Sequence, residues 1–302
     1  MKQHHDHLTA DDRVADMLSH PALAEFARLM LPWDDRSVPD IKLRGLAKLM
    51  PYHSHVDADV VVAALDQLVD GANAGEPVFY DVYSDREKHA DPTKRATGLF
   101  FFRGKPGAPF ALIAPGGGFE YVASLHEGFP YAAKIAERGF NAFVLKYRVG
   151  HGGAPATEDM AAALSLIVRR ASELNIDPRH FSLWGSSAGA RMAALIGSHG
   201  AAQFGGDELV KPAAVVMAYT GHADHAADEP PTFAVVGTRD SIARPAVMER
   251  RIGVLKRQGT HAELHVVPGL EHGFGLGTGT VADGWIDRAI EFWKRSIAGR
   301  AA

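Results

Sequence analysis

The fold is decided by residues 181–195, which read FSLWGSSAGARMAAL. A short apolar run ends at Trp184, the pattern Gly-x-Ser-x-Gly follows at 185–189, and the next residues have the composition of a helix. The two glycines flank a turn so tight that side chains there would clash. This turn lifts the Ser187 hydroxyl above the end of a strand, as in a nucleophile elbow. The alternative, a plain helix cap made of small residues, explains less of the strand–turn–helix context.

Around this stretch, from residue 78 to the C-terminus, short apolar runs alternate with helical patterns. Strands are predicted at Val78–Tyr83, Gly98–Arg103, Phe110–Ala114, Ala142–Tyr147, Phe181–Trp184, Ala213–Ala218, Thr232–Val236 and Glu263–Val267. Helices are predicted at Tyr131–Arg138, Thr157–Leu174, Ala188–Ser198, Pro245–Gln258 and Ala282–Ile297. Continuous apolar strands that alternate with helices predict an α/β fold, with a mainly parallel, doubly wound sheet covered on both faces.

The first part of the chain has a different texture, because its apolar residues recur at helical spacing and are interrupted by prolines. We therefore predict an N-terminal helical extension over residues 1–76 and a catalytic domain over residues 77–302. Since helices already cover the sheet faces, the extension is expected to form a lid or cap above the strand ends, or to contact a second subunit. As a lid, it would narrow the mouth above Ser187 with the side chains of Leu23, Phe26, Met30, Leu46 and Leu49.

Two further strand ends carry the groups that a serine nucleophile requires. A serine hydroxyl is a weak nucleophile, so it needs a base and an acid that orients the base. Asp240 follows the strand at 232–236, and His272 follows the strand at 263–267. The chain order of serine, aspartate and histidine is the order of hydrolase folds. Asp224 is the competing acid and Glu271 a lesser one.

A glycine-rich loop, Pro115-Gly116-Gly117-Gly118-Phe119, follows the strand at 110–114. Bare backbone of this kind can approach a ligand and donate N–H groups to a developing oxyanion. We predict an oxyanion hole made of the amides of Gly117, Gly118 and Ala188. A phosphate-binding loop is the weaker alternative, because the Lys-Ser/Thr ending of such loops is missing.

From about residue 78 onwards the chain resembles the serine esterases of the α/β-hydrolase fold. It is most similar to the acetyl-xylan and feruloyl esterase-like branch near the dienelactone hydrolase superfamily. The matching motifs are Pro115–Phe119, Gly185–Gly189, Gly237–Asp240 and His272–Phe274. The resemblance implies a triad of Ser187, Asp240 and His272 and a carboxylic ester as substrate, for example an acyl group on a sugar.

The chain departs from this pattern in two ways. Pro115 stands where many relatives have a histidine. The chain has no cysteine, which excludes the cysteine nucleophile of true dienelactone hydrolases as well as disulfides and thiolate metal sites. The N-terminal extension lies outside the resemblance, and we expect it to influence substrate choice.

Several polar or aromatic residues near these motifs are candidates for the substrate pocket. Ser124 to Glu127 also fits a capping box, and a role of His126 and Glu127 in holding the glycine loop is equally well supported. For Tyr219 and His222, ordinary loop polarity is an equal alternative. The candidates are Phe119, His126, Glu127, Ser186, Tyr219 and His222.

The run His53-Ser-His55-Val-Asp57 resembles a metallohydrolase ligand pattern. However, it also opens an apolar helix that Asp57 or Asp59 could cap, and this interpretation is favoured. No metal and no cofactor are therefore expected.

The charge balance limits the partners. The 302 residues carry 32 Lys and Arg against 36 Asp and Glu, a net charge of -4, which offers no general attraction to nucleic acid or to anionic membranes. The N-terminus lacks the basic and apolar regions of a signal peptide, and no apolar run is long enough to span a membrane. We expect a cytoplasmic protein that acts on a small-molecule ester, either as a monomer or as a homo-oligomer.

The function predicted from the sequence is that of a cofactor-free serine esterase that acts through an acyl-enzyme, on short-chain or acetyl esters. A peptidase of the prolyl-oligopeptidase type is one alternative, although the extension is too short for the propeller that such enzymes carry. A non-catalytic ligand-binding protein on the same fold is the other.

Overall fold

The computed structural model describes residues 7–33, 36–38 and 40–301, with only the backbone of residues 300 and 301. Its strands form one sheet in the order β1-β2-β4-β3-β5-β6-β7-β8. Neighbours from β4 to β8 pair in parallel, whereas β2 pairs antiparallel with both β1 and β4. The strands are β1 Phe79–Tyr80, β2 Gly98–Phe102, β3 Pro109–Ala114, β4 Asn141–Lys146, β5 Asp177–Ser186, β6 Ala214–Ala218, β7 Thr232–Gly237 and β8 Ala262–Val267.

The helices follow the strands in the predicted alternation. They are α1 Val14–Leu18, α2 Ala58–Asn73, α3 Asp85–Ala90, α4 Phe129–Glu137, α5 Gly153–Arg169, α6 Ala171–Leu174, α7 Ala188–His199, α8 Pro245–Arg257 and α9 Trp285–Ala301. Helix α4 packs against α9, and α5 packs against α7. Helices α4, α7 and α9 also contact strands of the sheet. The buried strands and the helices around them confirm the predicted α/β-hydrolase fold.

The prediction was wrong at the first strand. The strand comprises Phe79 and Tyr80, and the chain then turns into α3 instead of continuing as a strand to Tyr83. Ser84 begins that helix with a capping box, in which its hydroxyl and backbone N–H both contact the carboxylate of Glu87. The capping signal was present in the sequence, and it outweighed the apolar pattern of the preceding residues.

The turn between β5 and α7 requires both of its glycines. A Cβ on Gly185 would lie 2.3 Å from the carbonyl carbon of Gly189, and a Cβ on Gly189 would lie 1.9 Å from the carbonyl oxygen of Ala114. Real side chains do not come this close to backbone atoms. Helix α7 therefore crosses β3 at a distance that only glycine allows. This close crossing places Ser187 at the carboxyl end of β5.

This crossing predicts a strong effect of one added methyl group. Gly189→Ala should lower the free energy of unfolding by more than about 3 kcal/mol, because α7 must move away from β3. Gly299→Ala is the matched control, since a Cβ there meets no atom within 4 Å. Urea denaturation of both variants measures the difference. Equal stability of the two variants would contradict the close crossing.

The N-terminal segment packs partly against the sheet edge and partly near the strand ends. The ring of Phe26 stacks on Phe79 at 5.0 Å and meets Phe100 edge-on at 6.0 Å. Helix α2 packs against α4. The side chain of Phe26 thus packs on the antiparallel strands β1 and β2 and not over the mouth above Ser187. Within the described ranges, no helix has the length and apolar character needed to cross a membrane.

Candidate active site

The structure brings together the three residues predicted as a triad. The Nε2 of His272 lies 2.9 Å from the Oγ of Ser187, and its Nδ1 lies 2.8 Å from Oδ2 of Asp240. Asp240 and His272 are buried, and Ser187 is partly accessible. These partners assign the tautomer with hydrogen on Nδ1, which donates to Asp240, so that Nε2 accepts from the Ser187 hydroxyl. The arrangement can remove a proton from the serine.

Ser187 has an unusual backbone. Its φ of 50° and ψ of -114° lie in a region that non-glycine residues rarely adopt. The Ser187 N–H donates to the carbonyl of Ala218 at 2.8 Å, which ties the turn to the end of β6. Such strain is characteristic of a nucleophile held on a sharp strand-to-helix turn.

Asp240 is held more firmly than either competing acid. Its Oδ1 accepts from the N–H groups of Ile242 and Ala243, at 2.9 and 2.7 Å. Asp224 instead contacts His199 at 2.8 Å on the surface, and Glu271 is exposed beside Arg239. Only Asp240 among these three acids reaches His272.

The glycine loop offers N–H groups to a ligand beside Ser187. A Cβ on Gly116 would lie 3.0 Å from the Cβ of Ser187, so the loop adjoins the serine directly. Within the part of the chain that the structure describes, the amides of Gly117, Gly118 and Ala188 have no hydrogen-bond partner. Gly117 and Gly118 have φ values of 133° and 66°, which turn the loop in a way that favours glycine. Three unpaired donors are therefore available near the nucleophile.

Glu127 supports this loop from below. Its buried carboxylate accepts from the N–H of Gly116 through Oε2 at 2.6 Å and from the hydroxyl of Tyr219 through Oε1 at 2.7 Å. Burial alone would raise the pKa of Glu127, but His53 and the hydrogen bonds lower it to about 2. The capping box predicted at Ser124 does not form, since residues 124–128 make a wide π-helical turn. The sequence is compatible with two roles for Glu127, a helix cap and support of the glycine loop. The structure shows the contact with the glycine loop.

Four of the six pocket candidates form a buried layer instead of an open surface. His126 Nε2 lies 3.0 Å from the carbonyl of Gly273, and Ser186 Oγ donates to the hydroxyl of Tyr131 at 3.3 Å. The hydroxyl of Tyr219 lies 3.0 Å from that of Tyr131, and its ring packs against His272 at 5.2 Å. For Ser186, Tyr219, His126 and Glu127, this geometry favours support of the site over contact with a substrate.

The other two candidates lie elsewhere. Phe119 is partly exposed, has a φ of 64° and packs near Tyr147 at the end of the glycine loop. His222 is buried, its Nε2 has no hydrogen-bond partner among the described residues, and burial lowers its pKa to about 4. Phe119 is thus the candidate best placed to contact a ligand.

The buried His126 predicts that the protein loses stability in acid. Burial lowers the pKa of His126 from 6.5 to about 4. In the unfolded chain this histidine therefore becomes protonated below pH 6.5. In the folded protein it stays neutral down to about pH 4. Stability should fall across this window by about 3 kcal/mol. Urea denaturation at pH 7.5 and pH 4.5 measures this loss.

The matched variants separate this residue from general acid effects. His126→Gln cannot titrate and should lose less stability between the two pH values than the parent protein does. His151→Gln removes an exposed histidine and should leave the pH dependence unchanged. An unchanged pH dependence in His126→Gln would show that His126 is not a source of the acid sensitivity.

Sequence reasoning missed several residues of this site. Asp57 does cap α2, since its Oδ1 accepts from the N–H groups of Asp59 and Val60. His53, however, contacts Glu127 and Tyr121. The sequence singled out His53 as part of a metal-ligand pattern, whereas in the structure His53 supports the active site. Nothing in the local sequence indicated that this segment reaches the strand ends, because the contact is made across the fold.

A family model and several known proteins match this chain. The BD-FAE family model matches residues 104–220, which contain the glycine loop and the serine turn. An acetylxylan esterase of Xylanibacter ruminicola is 22% identical over 67% of the chain, which covers 48% of that protein. The chain thus spans about half of that relative. It also matches an endo-1,4-beta-xylanase B of Butyrivibrio fibrisolvens, of which it covers 14%. The predicted resemblance to acetyl-xylan and feruloyl esterases is confirmed.

Solved structures share the fold. An acetyl ester-xyloside bifunctional hydrolase of Caldicellulosiruptor lactoaceticus has 23% identity and a TM-score of 0.61, over 73% of this chain and 96% of that one. A thermophilic esterase of Thermogutta terrifontis has 21% identity and a TM-score of 0.58, over 66% and 89%. These likenesses establish the α/β-hydrolase fold for this chain.

Proposed function

We propose that this chain is a serine carboxylic-ester hydrolase that acts through an acyl-enzyme. The observation that carries the proposal is the chain of contacts from Ser187 through His272 to Asp240, beside three N–H groups that have no partner among the described residues. A nucleophile, a base, an acid and an oxyanion site are the parts that acyl transfer requires. A protein that only binds a ligand has no need of this set.

The mechanism follows from these positions. The Oγ of Ser187 attacks the ester carbonyl while Nε2 of His272 takes its proton, and Asp240 stabilises the imidazolium. The amides of Gly117, Gly118 and Ala188 hold the oxyanion, each contributing about 3 kcal/mol in the transition state. The C–O bond to the alcohol then breaks, and His272 returns the proton to the leaving oxygen. Water activated by the same histidine releases the acid from Ser187.

The substrate class is proposed from the relatives. The matched relative in Xylanibacter ruminicola is an acetylxylan esterase, and a structural neighbour is an acetyl ester-xyloside bifunctional hydrolase. We propose short-chain or acetyl esters as substrates, with a carbohydrate as the alcohol. Ester hydrolysis needs no cofactor in this scheme, because every proton transfer has a side chain of this chain to perform it.

The test compares acyl lengths and alcohols. The protein is assayed with p-nitrophenyl acetate, butyrate and octanoate, with acetylated xylo-oligosaccharides, and with a prolyl p-nitroanilide. Hydrolysis of the acetyl esters with release of acetate supports the proposal. Cleavage of the anilide alone would identify a peptidase, and turnover of none of these substrates would favour the binding protein.

A further inference from the structure

Residues 52–54, here called the 52–54 segment, lie between the two loops that form the site. The segment belongs to the N-terminal part of the chain, outside the residues 104–220 that match the family model. One side of it contacts the loop after β8 that carries His272, and the other contacts residues that hold the glycine loop. No other described part of the first 76 residues hydrogen-bonds to the loop of His272.

Ser54 fixes the loop of His272. Its Oγ donates to the carbonyl oxygen of His272 at 2.9 Å, and its N–H donates to the carbonyl of Gly273 at 3.0 Å. A Cβ on Gly273 would lie 2.5 Å from the carbonyl oxygen of Tyr52, so the two backbones are in direct contact. The backbone of His272 therefore cannot shift without breaking contacts with this segment.

His53 reaches the glycine loop through a second residue. Its buried side chain places Nε2 2.9 Å from Oε1 of Glu127, off the ideal hydrogen-bond direction, which makes the contact mainly electrostatic. The other carboxylate oxygen of Glu127 accepts from the N–H of Gly116. Loss of His53 would leave Glu127 buried with less charge compensation, and burial would then favour its neutral form.

Tyr121 strengthens the same connection. Its hydroxyl lies 2.9 Å from Nδ1 of His53 and accepts from the N–H of Tyr52 at 3.1 Å. The Tyr121 N–H donates to the carbonyl of Gly117 at 3.2 Å. The segment therefore touches the glycine loop through both Tyr121 and Glu127.

We propose that His53 and Ser54 are positioning residues that hold the oxyanion loop and the catalytic histidine in register with Ser187. The inference rests on the proposed function, in which both loops must reach the same substrate carbonyl. Because donors must be fixed within a few tenths of an ångström of the oxyanion, a small shift in either loop lowers the rate strongly. The His53 side chain is buried and the Ser54 hydroxyl contacts the backbone of His272, so we expect the effect to fall on kcat and not on KM.

The test uses three variants of the full chain and two matched controls. Ser54→Ala removes the hydroxyl contact with His272, and Ser54→Thr keeps a hydroxyl there. His53→Gln removes the imidazole beside Glu127. The matched controls are Ser19→Ala, which removes a hydroxyl-to-carbonyl contact at the end of α1, and His20→Gln, which replaces another buried histidine of the N-terminal part of the chain.

Two measurements are made on each protein. Hydrogen exchange followed by mass spectrometry should show faster exchange at the amide of Gly275 in Ser54→Ala and at the amide of Gly116 in His53→Gln, with little change elsewhere. With p-nitrophenyl acetate, kcat should fall about 10- to 100-fold in both variants while KM changes less than about 3-fold. Ser54→Thr should keep most of kcat, and both controls should match the parent protein.

The two measurements separate the two proposals. Faster exchange in the two loops without any ester hydrolysis by the parent protein would support the positioning role and overturn the proposed function. Unchanged exchange in the loops, or a kcat equal to that of the controls in an active enzyme, would overturn the positioning role. A third outcome is a uniform increase in exchange across the sheet, with kcat falling in proportion to the fraction of folded protein. This outcome would show that the residues are merely structural and would also overturn the positioning role.

Discussion

Ser187→Ala should lower kcat for p-nitrophenyl acetate by at least about 10³-fold, while the protein folds as before. The variant removes the hydroxyl that contacts Nε2 of His272, so no acyl-enzyme can form. The residual rate comes from the oxyanion donors alone. The side chain of Ser187 is partly accessible, so its truncation should leave the stability nearly unchanged, and thermal denaturation of the variant checks this.

Ser186→Ala is the matched control, because it removes the neighbouring hydroxyl in the same turn. Ser186 is buried and contacts Tyr131 instead of His272. We expect this variant to retain activity within about 10-fold of the parent protein, since only a supporting hydrogen bond is lost. If Ser186→Ala were inactive and Ser187→Ala active, the nucleophile would have been assigned to the wrong serine.

Asp240→Asn should lower kcat by about 10⁴-fold. The amide keeps the shape of the side chain but can donate to Nδ1 of His272, which stabilises the tautomer with hydrogen on Nε2. That tautomer cannot accept the proton of Ser187. Circular dichroism should show an unchanged fold, because the contacts of Asp240 Oδ1 with two backbone N–H groups can be kept by the amide oxygen.

Asp224→Asn controls for the loss of a carboxylate near a histidine. Asp224 contacts His199 on the surface, where half of its side chain is exposed. Its replacement should change kcat less than about 2-fold, as exposed ion pairs contribute little. A large loss in Asp224→Asn with little loss in Asp240→Asn would place the acid after β6 instead of β7.

Much of the fold could be predicted because its strands are continuous apolar runs. Such runs can be recognised in the sequence without knowledge of the tertiary contacts. The strand at 232–236 and the helix at 188–198 were each placed within one residue of their observed ends. The strand proposed from Val78 failed because a capping box overrode an apolar pattern. The triad could be predicted because each member follows a strand, and the carboxyl ends of parallel strands lie on the same side of the sheet.

The supporting layer could not be predicted from the local sequence. His53 meets Glu127 across 74 positions of the chain, and Ser54 meets His272 across 218. Such contacts depend on how the N-terminal segment packs, and a single sequence contains no periodic signal for that. The same reason explains Phe26, whose ring packs on β1 and β2 and not above Ser187.

The central claim is that Ser187 is the activated nucleophile of this site, and covalent labelling tests it most directly. The protein is incubated with a fluorophosphonate, and the site of attachment is found by mass spectrometry of its peptides. The account predicts one phosphonyl group per chain, on Ser187, with labelling abolished in Ser187→Ala and slowed in Asp240→Asn. Labelling of a different residue, or ester hydrolysis that continues at full rate without any label on Ser187, would contradict it.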